Sequence, residues 1–551
     1  MRQTIDKIAT YILRFVPTVL AFITPLLFLT ITPDYFNLNK QYFIYILASI
    51  SLIAYIARVL TRGKIHLSLS PSLLSVIGLV TVYIVSSVWM NTNPQMTLFG
   101  PTALIVSLAI IFITVTSSQK NEITITSSIA GLIAASTLLS VFAILQYFGI
   151  PAKFITSDLL KSNLFTPTGY PLNTLTFVLP IAVGTLGLSI KSKDWLQKPI
   201  NFSLAIIMLI GAFLSLKAVL PQNGQAGLII LPFQAGWSIA VDTFKDAKTA
   251  LVGTGPDSFA NTFTRLRPAY LNLDNNLWSI RFTNSSSEAL TVLTVVGLLG
   301  LVFFLAIMIK PLLTMIKKER SSGDTQSIFL ISSMIISLII FLAIPFSVIG
   351  YALIFVLAIA ITLKLKLVEG NKIKDVQIGL TANEVSSPSL YHDLSDKPTQ
   401  IQLPILPWVL AGASAVLLAV FWTRAYAIYA SSIAINQAVL TVKSDPQTSY
   451  QKQVDASNLD PYNPYYKVNL SQTFLAISLN LFQKKDSTNA EKQQALDLAN
   501  QSINQAKAAA TLDPQNEQMW ENFANISRQL AAYQVQGAID WTLATYGQAI
   551  S

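Results

Sequence analysis

Three arginines and one glutamate stand out by type and spacing within a single stretch of this chain, Leu251 to Leu301. Arg265 and Arg267 sit beside Pro268 and Tyr270, and Arg281 follows in Trp278-Ser279-Ile280-Arg281-Phe282. A guanidinium is a planar fork that engages two phosphate oxygens at once, so three of them among aromatics suit a phosphate or pyrophosphate ligand. The same residue types also suit an ordinary basic loop lying near anionic lipid head groups. Ser285, Ser286 and Ser287 then lead into Glu288 at the mouth of an apolar run. A carboxylate in that place is a general base for a hydroxyl, a partner that orients an arginine, or a helix-start carboxylate favoured by the macrodipole with Ser285 or Ser286 as cap.

The elements that must position these groups read as follows. Gly253-Thr254-Gly255-Pro256 is a tight turn, because glycine permits positive φ and proline fixes the next φ. Phe259 and Phe263 come next at helical spacing, and an apolar helix carrying Gly297 and Gly300 closes the stretch. Before it, Trp237, Val241 and Phe244 share one face of a short helix whose other face carries Asp242, Lys245 and Asp246. That pattern fits a helix lying in a membrane surface or an amphipathic helix packed on the loop.

Taken in order, Gly253, Gly255 and Phe259, the basic residues, a short polar run, and Leu290, Leu293, Gly297, Leu298, Leu299 and Gly300 resemble the O-antigen ligase and polymerase family of membrane glycosyltransferases. The likeness covers the membrane part, roughly residues 10 to 427, with its specific motif confined to this loop and helix. It implies transfer of a glycan from polyprenyl pyrophosphate to an acceptor hydroxyl, with Arg265, Arg267 and Arg281 holding the pyrophosphate. It also implies that arginines meet the charge on the leaving group, so that no metal or other cofactor is needed. Lys217, in Ser215-Leu216-Lys217-Ala218, stands near the span end where the family often has an arginine; otherwise it is a lysine snorkelling to the interface. The chain departs from the family at the position of the usual histidine, which falls on Ser286. The only histidines, His66 and His392, lie elsewhere.

Composition sets the frame. Of 551 residues, 52% are hydrophobic and 12% charged, and mean hydropathy is +0.54. Soluble domains carry about 25% charged residues, so this is the composition of a multispanning membrane protein. The formal charge of +10 is distributed around apolar runs and forms no single patch, which argues against a nucleic-acid partner. With no cysteine, disulfides, thiolate metal sites and cysteine nucleophiles are excluded, and two distant histidines make no metal site.

A span needs about 20 apolar residues. We read about eleven, near 15–32, 42–57, 69–90, 101–117, 124–149, 171–190, 202–220, 289–309, 327–345, 348–365 and 405–425, giving an all-α fold. Arg58, Arg62, Lys64, Lys120, Lys191, Lys193, Lys198, Lys317, Lys318, Arg320, Lys364, Lys366, Lys372 and Lys374 all fall on the side of the N-terminus. The positive-inside rule then puts the N-terminus in the cytoplasm and the stretch 221–287, with everything after Ala425, outside a bacterial cytoplasmic membrane. The domains expected are spans at 1–220, an outer loop at 221–287, spans at 288–427 with a cytoplasmic linker at 366–404, and an outer helical region at 428–551.

That last region alternates small residues with turns. Ala456 precedes Leu459-Asp460-Pro461; Ala499, Ala506, Ala509 and Ala510 precede Leu512-Asp513-Pro514-Gln515-Asn516 and Trp520. The pattern resembles the tetratricopeptide repeat, with an insertion around Lys484 to Gln494 stretching the ~34-residue period. A further helix from Ile539 ends where another turn is expected, which is where a truncated array would stop. The use implied is docking a protein partner. The partners expected are therefore a polyprenyl-pyrophosphate glycan, a saccharide, lipid or protein acceptor, and membrane lipids. The competing reading is a non-catalytic scaffold that binds glycan lipid and docks partners through its repeats. A transporter ranks last, because the spans hold few mid-membrane charges. Convergence of Glu288 and the three arginines on one pocket favours the enzyme, and scatter favours the scaffold.

Overall fold

The computed structural model describes residues 1–151, 164–220, 228–274, 277–319, 324–367, 374–378, 381–382, 403–484, 486 and 488–550. His392 and most of the expected linker at 366–404 lie outside the described residues. Among the described residues ten helices are long and apolar enough to cross a membrane. They are α1 (Arg2–Leu26), α2 (Asn37–Arg62), α4 (Pro94–Ser118), α5 (Glu122–Tyr147), α6 (Pro171–Lys191), α7 (Gln197–Val219), α11 (Glu288–Glu319), α12 (Thr325–Ala343), α13 (Val348–Leu367) and α14 (Ile405–Thr441). An eleventh apolar helix, α3 (Leu73–Trp89), has 17 residues. Short helices α8 (Phe233–Asp242), α9 (Ala247–Val252) and α10 (Phe259–Arg265) follow α7.

The fold is all-α and multispanning. One continuous apolar core runs through the bundle and draws in Phe259, Phe263, Leu271 and Phe282 from the stretch before α11. The segment α13 is apolar on every face, VIGYALIFVLAIAITLKLKL, and such a helix belongs in the middle. Of its apolar window 89% is buried, against 11% for α14, which therefore lies on the outside of the bundle.

The connections sort to two ends. At one, which we call the strand end, β1 (Ile65–Leu69) pairs antiparallel with β2 (Lys374–Ile378), with Ile65 opposite Ile378 and Leu69 opposite Lys374. Lys364 at the same end bridges Asp324 at 2.8 Å. The expected linker thus holds short strands, since a second pair joins Thr381–Ala382 to Leu403–Pro404. At the other, the loop end, stand the α1–α2 and α3–α4 connections, residues 228–274 and 277–287, and the C-terminal helices. They meet there: Asn436 Nδ2 donates to the Thr30 carbonyl at 3.1 Å and Thr92 Oγ1 to Asp513 at 2.9 Å.

Three expectations shift. The first span begins and ends earlier than 15–32, because Asp6 ties the polar first turns of α1 to Arg58 and Arg62, so they stay helical. The boundary at 427/428 falls inside α14, which runs unbroken from the bundle into the C-terminal region. The stretch expected as an insertion at 484–494 is helical from Asn489 onward. After α15 (Pro446–Leu459) and α16 (Pro464–Gln483), α17 spans Asn489–Leu512, opened by a capping box between Thr488 and Glu491. Then come α18 (Glu517–Ala531) and α19 (Ala538–Ile550). The alanines of the repeat-like pattern, Ala456, Ala499, Ala506, Ala509 and Ala510, are all buried.

Candidate functional site

Helix α11 breaks at Gly297, where φ is +75° and ψ −174°. The break frees carbonyls that the next turn would have covered. The Gly253-Thr254-Gly255 turn covers them: Thr254 N–H donates to Thr294 O and Gly255 N–H to Val295 O, both at 3.0 Å. Ser86 Oγ adds a bond to Val295 O at 3.2 Å. A Cβ on Gly253 would lie 2.2 Å from the Val295 carbonyl carbon, and one on Gly297 would lie 2.4 Å from Leu251 O. The motif glycines and the helix glycine are therefore two halves of one joint, and both must lack a side chain.

This joint aims the next residues into a cavity of about 430 Å³ at the loop end. Its polar lining includes Asp257, Asn284, Glu288, Asn37, Gln41 and Tyr351. A second broken helix forms its floor, for α4 kinks at Gly100 before Pro101, and Gln41 Nε2 holds the Gly100 carbonyl at 2.6 Å. Non-helical backbone inside a membrane bundle is tolerated where it lines a cavity or is buried in protein.

The two carboxylates differ. Glu288 is buried, and both of its oxygens are engaged: Phe346 N–H donates to one at 2.8 Å and the Tyr351 hydroxyl donates to the other. Its own N–H donates to Ile344 O at 3.1 Å. Glu288 thus ties the start of α11 to the α12–α13 connection while facing the cavity. Asp257 has φ +68°, a left-handed conformation that costs a non-glycine residue on the order of 1 kcal/mol. Asn91 Nδ2 steadies this turn by donating to Pro256 O at 3.0 Å. The Asp257 carboxylate is open to the cavity and has no hydrogen bond among the described residues. Enclosure by surrounding protein, with a smaller push from the nearby Asp513 carboxylate, raises it to about 6.

None of the three arginines lines this cavity. Arg267 braces its own loop, donating to the carbonyls of Leu277 at 2.8 Å and Trp278 at 2.6 Å and stacking over Phe263. Arg281 pairs with Glu517 at 2.5 Å and Glu521 at 2.8 Å, both on α18, and so clasps the C-terminal helices to the loop. Arg265 is exposed at the end of α10. Ser286 packs with Ser285 beneath Gly236 of α8, where a Cβ would meet either hydroxyl at 2.5 Å. The opposite side of that helix leaves Trp237, Val241 and Phe244 exposed, the apolar face expected from the sequence.

Lys217 lines a separate cavity of about 200 Å³ with Gln146, Thr166 and Ser215. Its ammonium donates to the Tyr147 hydroxyl at 3.0 Å and lies 4.9 Å from that ring's centre. Phe165 also lines this cavity, and it packs on Phe36 with ring centres 5.9 Å apart, immediately before Asn37 of the larger cavity. The start of α2 therefore stands between the two. Lys40, fully buried on that turn, donates to Pro167 O at 2.9 Å.

The sequence reading missed Asp257, Asn37, Gln41 and Tyr351. Only Asp257 carried a local signal: it follows Gly-Thr-Gly-Pro at a turn position where another glycine is the ordinary choice. The others come from helices hundreds of residues away from Glu288 or from inside apolar runs.

Ten membrane-length apolar helices around one core define the class, a multi-pass α-helical membrane protein. No model of a known protein family matches the chain, and no curated protein matches it.

Proposed function

We propose that the chain is an O-antigen ligase-like glycosyltransferase that moves a glycan from polyprenyl pyrophosphate to an acceptor hydroxyl. The observation that carries this reading is the loop-end cavity, where a strained Asp257, without a hydrogen bond among the described residues, and a fixed Glu288 stand among amide and hydroxyl groups. Amides and hydroxyls suit sugar hydroxyls, and a free carboxylate near pH 6 suits their deprotonation. In the step proposed, the acceptor oxygen bonds to the anomeric carbon and its proton passes to Asp257. The bond from that carbon to the pyrophosphate oxygen breaks, and polyprenyl pyrophosphate leaves with the electron pair. Glu288 positions the cavity wall. Lys217, in the adjoining cavity, and Arg265 meet the diphosphate charge. Arg281 moves from pyrophosphate ligand to clasp.

In this reading the loop end faces outward from a bacterial cytoplasmic membrane. The clustering of lysines and arginines at the strand end supports that orientation. A second reading, the non-catalytic glycan-lipid scaffold with tetratricopeptide-like docking helices, draws on one observation: the arginines scatter, and Arg281 is engaged by Glu517 and Glu521. The test is transfer in membranes from a polyprenyl-pyrophosphate glycan to a panel of acceptors. Transfer by wild type that Asp257→Asn removes, at normal expression, supports the enzyme. Retained donor binding without transfer to any acceptor replaces it with the scaffold.

A further inference from the structure

The connection between α7 and α11 carries an exposed apolar face that the transfer reading leaves without a role. Along α8 and the single turn after it, Phe233, Trp237, Val241 and Phe244 recur at helical spacing, and they are between 41% and 61% exposed. The stripe beside them, one residue on, is polar: Gln234, Ser238, Asp242 and Lys245, with Lys245 bridging Asp242 at 2.8 Å. The third stripe is buried. Ala235 and Ile239 enter the core of the bundle, and Ala240 packs with Leu290 and Leu293 of α11. Small residues thus point into the protein, which lets helices approach closely, and the largest apolar ones point away from it. A helix in water folds the other way round, because exposed apolar area is unfavourable there.

Both ends of this connection are tied to membrane-length helices. At the first, Leu228 N–H donates to the carbonyl of Val219, the last residue of α7, at 3.0 Å. At the second, the Leu251 carbonyl stands against Gly297 of α11, within 2.4 Å of where a Cβ would be. Leu251 is itself exposed, and so are Leu298, Leu299 and Val302, which follow the break in α11. Exposed apolar residues on a membrane-length helix meet lipid. The apolar face of the connection therefore ends beside the lipid-facing surface of a span. An apolar stripe next to a polar one, with a tryptophan among the apolar residues, is the pattern of a helix lying at the membrane–water boundary.

We infer that α8 is embedded in the membrane interface, with Phe233, Trp237, Val241 and Phe244 among lipid acyl chains and the stripe from Gln234 to Lys245 toward head groups and water. The occupant of the apolar face is bilayer lipid. Residues 228–252 then belong to the membrane-embedded body and hold the Gly253 turn at the edge of the hydrocarbon. This inference rests on packing and exposure alone, so it stands or falls apart from the glycosyl-transfer reading.

The chain has no cysteine, so a single introduced one can carry a spin label. The experiment reconstitutes the full chain in phosphatidylcholine vesicles with a label on Trp237→Cys, Val241→Cys or Phe244→Cys. Collision with oxygen, which concentrates in hydrocarbon, is compared with collision with a water-soluble nickel chelate. Val302→Cys is the lipid reference and Lys248→Cys the water reference. The oxygen-to-nickel ratio at the three positions of α8 and its turn should rise to the Val302 value, while Lys245→Cys stays at the Lys248 value. A ratio at the Lys248 value puts the face in water. Low collision with both reagents puts it under protein, a second copy of the chain included. Either result overturns the proposal. Wild type provides a check free of substitutions: a phosphatidylcholine with a diazirine in its acyl chain should form adducts on residues 228–252 as well as on α11. Adducts on α11 with none on 228–252 overturn the proposal too.

Discussion

The two ends of the bundle make opposite use of charge. At the loop end stand Arg265, Arg267, Arg281 and Lys217, yet the larger cavity is lined by two carboxylates and no cation. The cations there hold other parts of the protein: Arg267 holds backbone carbonyls and Arg281 holds α18. At the strand end the pattern reverses: Arg58, Arg62 and Lys120 line one cavity, and Asp6 bridges the two arginines. The difference teaches that residue type within a segment does not say which charge faces the ligand. A guanidinium with five donors is also the best clamp for carbonyls and carboxylates, so a folded loop can consume it internally.

The joint between the Gly253 turn and Gly297 is the sharpest place to separate the ends. Gly297→Ala or Gly253→Ala should cost about 3 kcal/mol or more, because the backbone must move wherever Cβ meets Leu251 or Val295. Thermal unfolding in detergent measures this, and a variant with wild-type stability would remove the joint from the account.

The next effect is on activity. Asp257→Asn should lower transfer by ~10²–10⁴-fold as expected for loss of a general base. Wild-type activity should fall as pH drops below about 6, where Asp257 takes up its proton, and the variant should lack that limb. Comparable rates for variant and wild type would return the base role to Glu288 or dissolve it.

Arg281→Ala tests whether that arginine is a clasp. A clasp predicts a transfer loss under ~10-fold and a stability loss of about 1 kcal/mol or less, since the pairs are partly exposed. Limited proteolysis should cut between α14 and α18 faster than in wild type. A loss of ~10²–10³-fold in rate, with unchanged proteolysis, would restore the pyrophosphate role.

The smallest effect concerns stability at Asp257. Its folded-state carboxyl is raised above the ordinary value of 3.8, so the folded chain holds this proton more tightly than the unfolded chain. That contribution is fully present below about pH 4 and is lost as pH rises through about 6. At pH 7 the ionised group therefore destabilises the fold. Asp257→Asn should be the more stable protein at pH 7, by up to ~1 kcal/mol after solvent screening, with the gain fading toward pH 4. A variant less stable than wild type at pH 7 would mean that the carboxylate has a partner.

Much of this architecture was legible in the sequence. Length and hydropathy of the apolar runs gave the all-α multispanning class, because a helix that satisfies its own backbone is the way to cross a bilayer with an open chain. That the helix at Val348–Leu367 is the central one, with most of its length buried, came only from the packing. The Gly253-Thr254-Gly255 turn and Gly297 were visible as separate features. That they are one joint was not, since their pairing is a contact between backbones more than 40 residues apart, and hydropathy carries no record of it. Likewise Glu288 was visible as a carboxylate at a span mouth, but its partners Phe346 and Tyr351 are placed by the packing of α11 on the α12–α13 hairpin. The sequence determined which segments enter the membrane and where charge is available. Only the tertiary structure decided which charges neutralise one another and which are left to face a cavity, because that choice is made by distances between helices.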